Sequence, residues 1–275
     1  VIDYMTYGGI YRDVYLEVKE DVYFEDVFIS SDLKDLTVKV KLNKEAFYDC
    51  RVSMRKKGEH EYQYLGNFNT KEKSIEYLNL PKVDLWDIHN PNLYEIKVEL
   101  YNEILIDEKV ITYGFRISEF RKDGYYLNRK KVKIRGLNRH QSYPYVGYAM
   151  PASMQRKDAD ILKYELGCNA VRTSHYPQSH DFISRCDEIG LLVFTEIPGW
   201  QHIGDEDWKK QACKNVEDMV IQYRNHPSII LWGVRINESN DDHDFYQETN
   251  EIAHLLDPTR PTGGVRNFKK SELLE

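Results

Sequence analysis

The sequence predicts two textures in series: an antiparallel β-sandwich over residues 20–113, then part of a parallel β/α barrel over 114–275. Three observations predict this. Short segments of period-2 alternation follow one another before Gly114, as strands with one buried face do. After Gly114, strand-like and helical runs alternate, the signature of parallel β/α units. Polar residues also recur where those later strand-like runs end, and in barrels the C-terminal strand ends carry the chemistry.

Residues 1–19, VIDYMTYGGIYRDVYLEVK, open with a Gly8-Gly9 turn and then alternate like a strand. No complete domain fits there, and the stretch reads as a remnant of a preceding one. From Asp21 to Tyr113 come VYFEDVFI, LTVKVKL, FYDCRVSM, SIEYLNL, YEIKVEL and ILIDEKVITY, with turn residues between them. About six or seven short strands in this span fit an immunoglobulin-like sandwich. Its role reads as a spacer, with Trp86 a packing residue rather than a binding one.

The second half predicts strands at VKIRGLN (132–138), NAVRTS (169–174), LLVFTE (191–196), IILW (229–232) and TGGV (262–265), with helices over 155–166, 179–189, 207–223 and 244–256. Gly167 and Gly190 stand where helix C-caps belong. Asp257-Pro258 stops the last helix. This supplies about four and a half β/α units, against eight in a complete barrel of roughly 250 residues.

Composition narrows the class. With 38 basic against 45 acidic residues the chain carries −7, which argues against nucleic acid or an anionic membrane as partner. No apolar stretch is long enough to span a bilayer. Cys50, Cys168, Cys186 and Cys213 show no CxxC spacing, so free thiols are expected. Nothing requires an oxidising compartment, and localisation leans to the cytoplasm without being fixed.

The first barrel strand delivers Asn138, Arg139 and His140; the second Arg172, Ser174 and His175; the third Glu196; the fourth Asn237 and Glu238. So many ionisable or amide groups at one rim would be costly in a purely structural protein. Each has a plainer alternative: His140 as a capped loop histidine, Arg172 as an ion pair with Glu196, His175 as a packed ring. A Ser174-His175 hydrolase lacks a nucleophile elbow. Asp241, Asp242, His243 and Asp244 read as helix capping rather than a metal cluster, and no metal or cofactor is expected.

The run Arg224–Glu238, RNHPSIILWGVRINE, resembles the acid/base signature of glycoside hydrolase family 2, with only Tyr223 ahead of it off the usual pattern. NAVRTSHYPQSHDFISRCDEIGLLVF resembles the family's other signature, and the Gly-Gly-Ile-Tyr-Arg run resembles the exit from its N-terminal sugar-binding jelly roll. The resemblance implies a retaining exo-β-glycosidase, β-galactosidase first, β-glucuronidase or β-mannosidase as alternatives, acting on a carbohydrate. It implies Glu238 as general acid/base, Asn237 on the sugar 2-hydroxyl, His140 and His175 as substrate contacts, Arg172 orienting the catalytic carboxylates, and Trp200 as an aromatic wall. It also places the nucleophile on a seventh strand, to which no residue here corresponds. The 275-residue chain alone is therefore expected to be silent and to self-associate through exposed barrel edges. A non-catalytic carbohydrate-binding or scaffold protein is the reading from a different class.

Overall fold

A computed structural model describes residues 7–72, 74–267 and 270–272. The chain divides into two compact units, one of residues 14–117 with 225–227, the other of residues 1–13, 118–224 and 228–275. Residues 1–6 of the stretch read as a remnant lie outside the described residues, and residues 7–19 form no regular strand.

The first unit is a sandwich of two antiparallel sheets. Strands β1 (Phe24–Ser31), β2 (Asp35–Leu42) and β5 (Ile75–Asn79) form one sheet in the order β1-β2-β5. Strands β3 (Asp49–Lys56), β4 (Gln63–Asn69), β6 (Tyr94–Asn102) and β7 (Ile104–Tyr113) form the other, in the order β4-β3-β6-β7. Inward residues at period 2, among them Leu36, Val38, Val52, Ile96 and Val98, make its core. Burying each such side chain contributes about 1.5–3 kcal/mol. Trp86 is fully buried and its backbone N–H donates to Phe115 O at 2.8 Å, so it packs. Cys50 lies in the same core, where burial pushes its thiol up to about 12.

The second unit starts with an element the alternation did not predict. Strands β8 (Ser118–Arg121), β9 (Gly124–Leu127) and β10 (Lys130–Val132) form a small antiparallel sheet. The β9–β10 turn is Asn128-Arg129, both at positive φ of 51° and 66°, as a two-residue hairpin requires. The run 132–138 is thus not one strand: its start belongs to β10, and the barrel begins at β11 (Gly136–Arg139). From there β12 (Ala170–Thr173), β13 (Leu192–Glu196), β14 (Ile229–Gly233) and β15 (Thr262–Gly263) follow in sequential parallel order.

Between them lie α1 (Ala152–Asp160), widening into a π-helical turn over Ile161–Glu165, then α2 (His180–Ile189), α3 (Glu206–Tyr223) and α4 (His243–Leu256). Ser179, Asp205 and Asp242 cap the last three through their side-chain oxygens. Gly190 ends α2 in the left-handed region at φ 71°. Helices and strands share one core, in which Val171, Val193, Ile229 and Trp232 meet Phe182, Cys186, Met219 and Phe245. All four cysteines are free and buried.

Asp257, just past α4, is fully buried and accepts from Trp232 Nε1 at 2.9 Å and Arg260 Nη1 at 2.6 Å. Burial alone would raise its pKa, but the Arg260 charge and hydrogen bonds from Thr259 and Arg260 together hold it below the ordinary value. A depressed carboxylate contributes stability that is complete above its unfolded pKa of about 3.9 and is lost as pH falls through the folded value. Urea midpoints measured from pH 7 downward should therefore fall on the acid side, and Asp257→Asn should flatten that fall. Equal acid slopes in the two proteins would discard the assignment.

Candidate active site

The rim of the second unit is built from strand ends. Arg172 stands on β12 opposite Asn138 of β11 and Phe194 of β13 in parallel register. Glu196 closes β13 and pairs with Gly233 of β14. A Cβ at Gly233 would lie 2.6 Å from Glu196 Cγ and 2.9 Å from Thr195 O, so only glycine leaves room for the glutamate. Below this rim, the concave face of the sheet holds a hollow of about 360 Å³ lined by Leu137, Arg172, Phe194 and Leu231.

Arg172 organises the rim. Its Nε donates to Glu196 Oε1 at 2.5 Å and its Nη2 to Asn237 Oδ1 at 2.6 Å. His175 Nδ1 lies 3.2 Å from Glu196 Oε2 and 3.3 Å from Arg172 Nη2. A carboxylate only accepts, so the contact with Glu196 has His175 Nδ1–H as the donor. The guanidinium also settles the amide of Asn237: its oxygen faces Arg172, which leaves Nδ2 as a donor for a ligand oxygen. Glu196 is buried at 2% exposure, and two donors on its two oxygens are what such a carboxylate needs.

His140 packs edge-on against His175, ring centroids 5.4 Å apart. Its Nδ1 lies 3.2 Å from Tyr176 Oη, which also accepts from the backbone N–H of Gln141 at 3.2 Å. Gln141 Oε1 accepts in turn from Ser179 N and from Arg12 Nη2, at 3.0 and 2.7 Å. Beside them sits Tyr148, whose phenol is pushed upward in pKa by burial. Arg139, expected among the rim groups, is instead buried behind it. It donates to Asp158, Gln155 and Gln178, stacks 4.0 Å over Phe182, and burial draws its pKa below the ordinary arginine value.

Asn237 and Glu238 follow β14. Asn237 forms a parallel bridge with Trp200, and Gln201 N–H donates to Asn237 O at 2.7 Å. Glu238 takes a positive φ of 54°, and its N–H donates to Val265 O at 2.8 Å. Its carboxylate is held by Gln201, whose Nε2 donates to Oε2 at 3.1 Å, not by Arg172. The expected residues thus fall into two groups. His175 and Asn237 are joined through Arg172 and Glu196, Asn237 on Arg172 and His175 on both, with His140 against them; Glu238 and Trp200 adjoin through the Asn237 backbone. Gln201 and Tyr176 escaped the sequence reading. Each immediately follows a residue that was singled out, which was the only signal available.

Donors from arginine, asparagine and histidine at one rim, with the half-buried Glu238 carboxyl held nearby by Gln201, suit a ligand rich in hydroxyl groups and an acid-assisted bond cleavage. The family model for glycosyl hydrolases family 2, TIM barrel domain, matches residues 118–274, and a second model of the same family matches 22–116. The chain belongs to glycosyl hydrolases family 2. The β-galactosidase of Thermoanaerobacterium thermosulfurigenes is 50% identical over the whole of this chain, which matches 40% of that protein. The β-galactosidase of Rhizobium meliloti is 40% identical, again over the whole chain and 38% of its own length. The solved structure of Bacteroides uniformis β-glucuronidase 3 is 33% identical with a TM-score of 0.78, covering 93% of this chain and 34% of that one. The chain therefore spans about two fifths of the length of these β-galactosidases. An immunoglobulin-like sandwich followed by part of a family 2 barrel is the architecture that the sequence predicted.

Proposed function

We propose that this segment supplies the acid/base side of a retaining β-glycosidase site, with β-galactosides as substrates. The observation that carries the reading is Arg172 gripping Asn237 Oδ1, which leaves the Asn237 amide N–H groups free to donate, on the residue next to Glu238 in the chain. In this reading Glu238 protonates the glycosidic oxygen as the bond breaks, then removes a proton from the incoming water. Asn237 Nδ2 donates to the sugar hydroxyl next to the anomeric carbon. His140 and His175 bind further hydroxyls, and Trp200 offers an apolar face.

Identity of 50% to β-galactosidases supports galactose as the sugar. β-Glucuronidase is the second reading, favoured by solved relatives such as that of Bacteroides uniformis. A retaining mechanism needs a second carboxylate about 5–5.5 Å from the acid, and none of the 275 residues is assigned that part. The 275-residue chain by itself is accordingly proposed to be silent. The test compares nitrophenyl β-galactoside, β-glucuronide and β-mannoside, using this chain alone and an active enzyme that contains the segment. The expected result is no turnover by the chain and the highest kcat/KM on the galactoside by the enzyme. Turnover by the chain, abolished by Glu238→Gln, would mean that a nucleophile lies within it.

A further inference from the structure

The outer face of the sheet β4-β3-β6-β7 carries a recess of about 690 Å³ that the barrel chemistry does not use. Its volume falls within the roughly 300–1,000 Å³ of small-ligand sites. Cross-strand register explains what gathers there. Because Cys50, Val52 and Met54 of β3 point into the core, Asp49, Arg51 and Ser53 point outward. Opposite Arg51 stands Asn67 of β4, opposite Ser53 stands Tyr64, and opposite Asp49 stands Tyr101 of β6. Tyr62, from the residues leading into β4, adds a third ring to the lining.

Two features of this recess are not explained by folding. Ser53 is 5% exposed, and its Oγ has no hydrogen-bond partner among the described residues. A buried hydroxyl left unpaired costs about 1–3 kcal/mol, and this one lines the recess. Arg51, in turn, lies over the Tyr101 ring with its Cζ 4.7 Å from the centroid. Among the described residues it makes no ion pair, although its cross-strand neighbour is Glu99. That guanidinium is stacked and oriented, with donors to spare. Tyr64 is 57% exposed and its hydroxyl is anchored on Asn67 Oδ1 at 2.5 Å, so its ring is presented rather than buried.

We propose that this face is an accessory saccharide-binding site. The exposed ring of Tyr64 offers flat apolar surface for the carbon face of a sugar, while Tyr62, with Arg55 and Lys97 over its ring, and Tyr101, under Arg51, form the wall beside it. Arg51 and Asn67 donate to neighbouring hydroxyls, Asp49 and Glu103 accept from them, and Ser53 supplies the contact at the floor. Donors and acceptors of both charges around aromatic rings fit an uncharged polyhydroxylated chain better than an anion or an acidic peptide. The site lies wholly within the sandwich unit and is independent of Glu238; only the β-linked probe is chosen from the proposed function.

The test is ¹⁹F NMR of the 275-residue chain labelled with 3-fluorotyrosine, titrated with β1,4-linked galactotetraose and assigned by single Tyr→Phe substitutions. Resonances of Tyr64 and Tyr101 should shift saturably, and Arg51→Ala or Tyr64→Ala should weaken the apparent affinity by roughly tenfold. Both positions are exposed, so the fold is expected to survive. Ser53→Ala removes an unpaired hydroxyl, so it should leave unfolding unchanged or improved while weakening binding. Tyr176, against His140, reports the barrel rim separately. Shifts confined to Tyr176 would overturn the sandwich site and leave the barrel reading standing. Absence of shifts at Tyr62, Tyr64 and Tyr101 up to about 10 mM sugar, where a millimolar site would be largely filled, would also overturn it. So would affinity unchanged by all three substitutions.

Discussion

Glu238→Gln, made in an active enzyme that contains this segment, is expected to cut turnover of substrates with poor leaving groups by about 10²–10⁴-fold, the usual contribution of a general acid. The amide keeps the size of the side chain and can still meet Gln201 Nε2 through its oxygen, so the local geometry should persist. What it cannot do is release a proton to the departing oxygen. Substrates with activated aryl leaving groups need little protonation, and their glycosylation step should suffer far less. Their second step still needs a base, so azide, which needs none, should restore turnover and yield a glycosyl azide. Equal loss on both substrate classes without azide rescue would remove Glu238 from the acid/base role.

The second large effect concerns stability and should be measurable on the 275-residue chain itself. Arg172→Ala removes the guanidinium from Glu196, whose side chain is only 3% exposed. His175 would remain beside that carboxylate. Breaking a buried pair from one side typically costs about 3–5 kcal/mol, because the remaining charge is left uncompensated. The double change Arg172→Met with Glu196→Leu should be much milder, since it removes both charges and keeps the volume. Trp86 is the one tryptophan of the sandwich unit and three more lie in the other. Urea unfolding followed by fluorescence in a Trp86→Phe background therefore reports the unit that holds the pair. A loss under about 1 kcal/mol for Arg172→Ala would place the pair in the class of solvent-screened surface bridges.

The parts of the fold legible in the sequence were those in which local pattern and burial coincide. IILW and LLVFTE are apolar, carry β-branched residues and sit between capped helices; both are strands buried on two faces. Strand β4 was missed because YQYLGNFN places Gly66 where alternation should continue, and most of its side chains lie toward the surface. Gly66 is there for packing: a Cβ would come 2.5 Å from Leu78 Cδ2 of the facing sheet. The small sheet β8–β10 had a readable signal in Asp123-Gly124 and Asn128-Arg129, but its three- and four-residue strands are too short for periodicity to register. At the rim, the plain alternative of an Arg172–Glu196 ion pair and the expectation of a site residue both describe the same side chain. Two features depended on contacts across sequence. Gln201 reaches a residue 37 positions away, and Arg139 turns from the rim into a buried nest of Asp158, Gln155 and Gln178. Neither is encoded in spacing.

The chain of contacts from Glu196 through Arg172 to Asn237 draws one member from each of three successive strand ends. Side chains on a strand change face with every residue, so a slip of one position would send Arg172 to the helix side and Thr173 toward the hollow. A sheet paired one step out of register could still bury much of its apolar surface, yet it would hold no guanidinium within reach of either partner. The relay therefore acts as an assembly check. Misaligned folding intermediates forfeit the buried pair, and a sugar bound at Asn237 in the way proposed above would select correctly aligned chains from a refolding mixture, adding its binding energy to the native state alone.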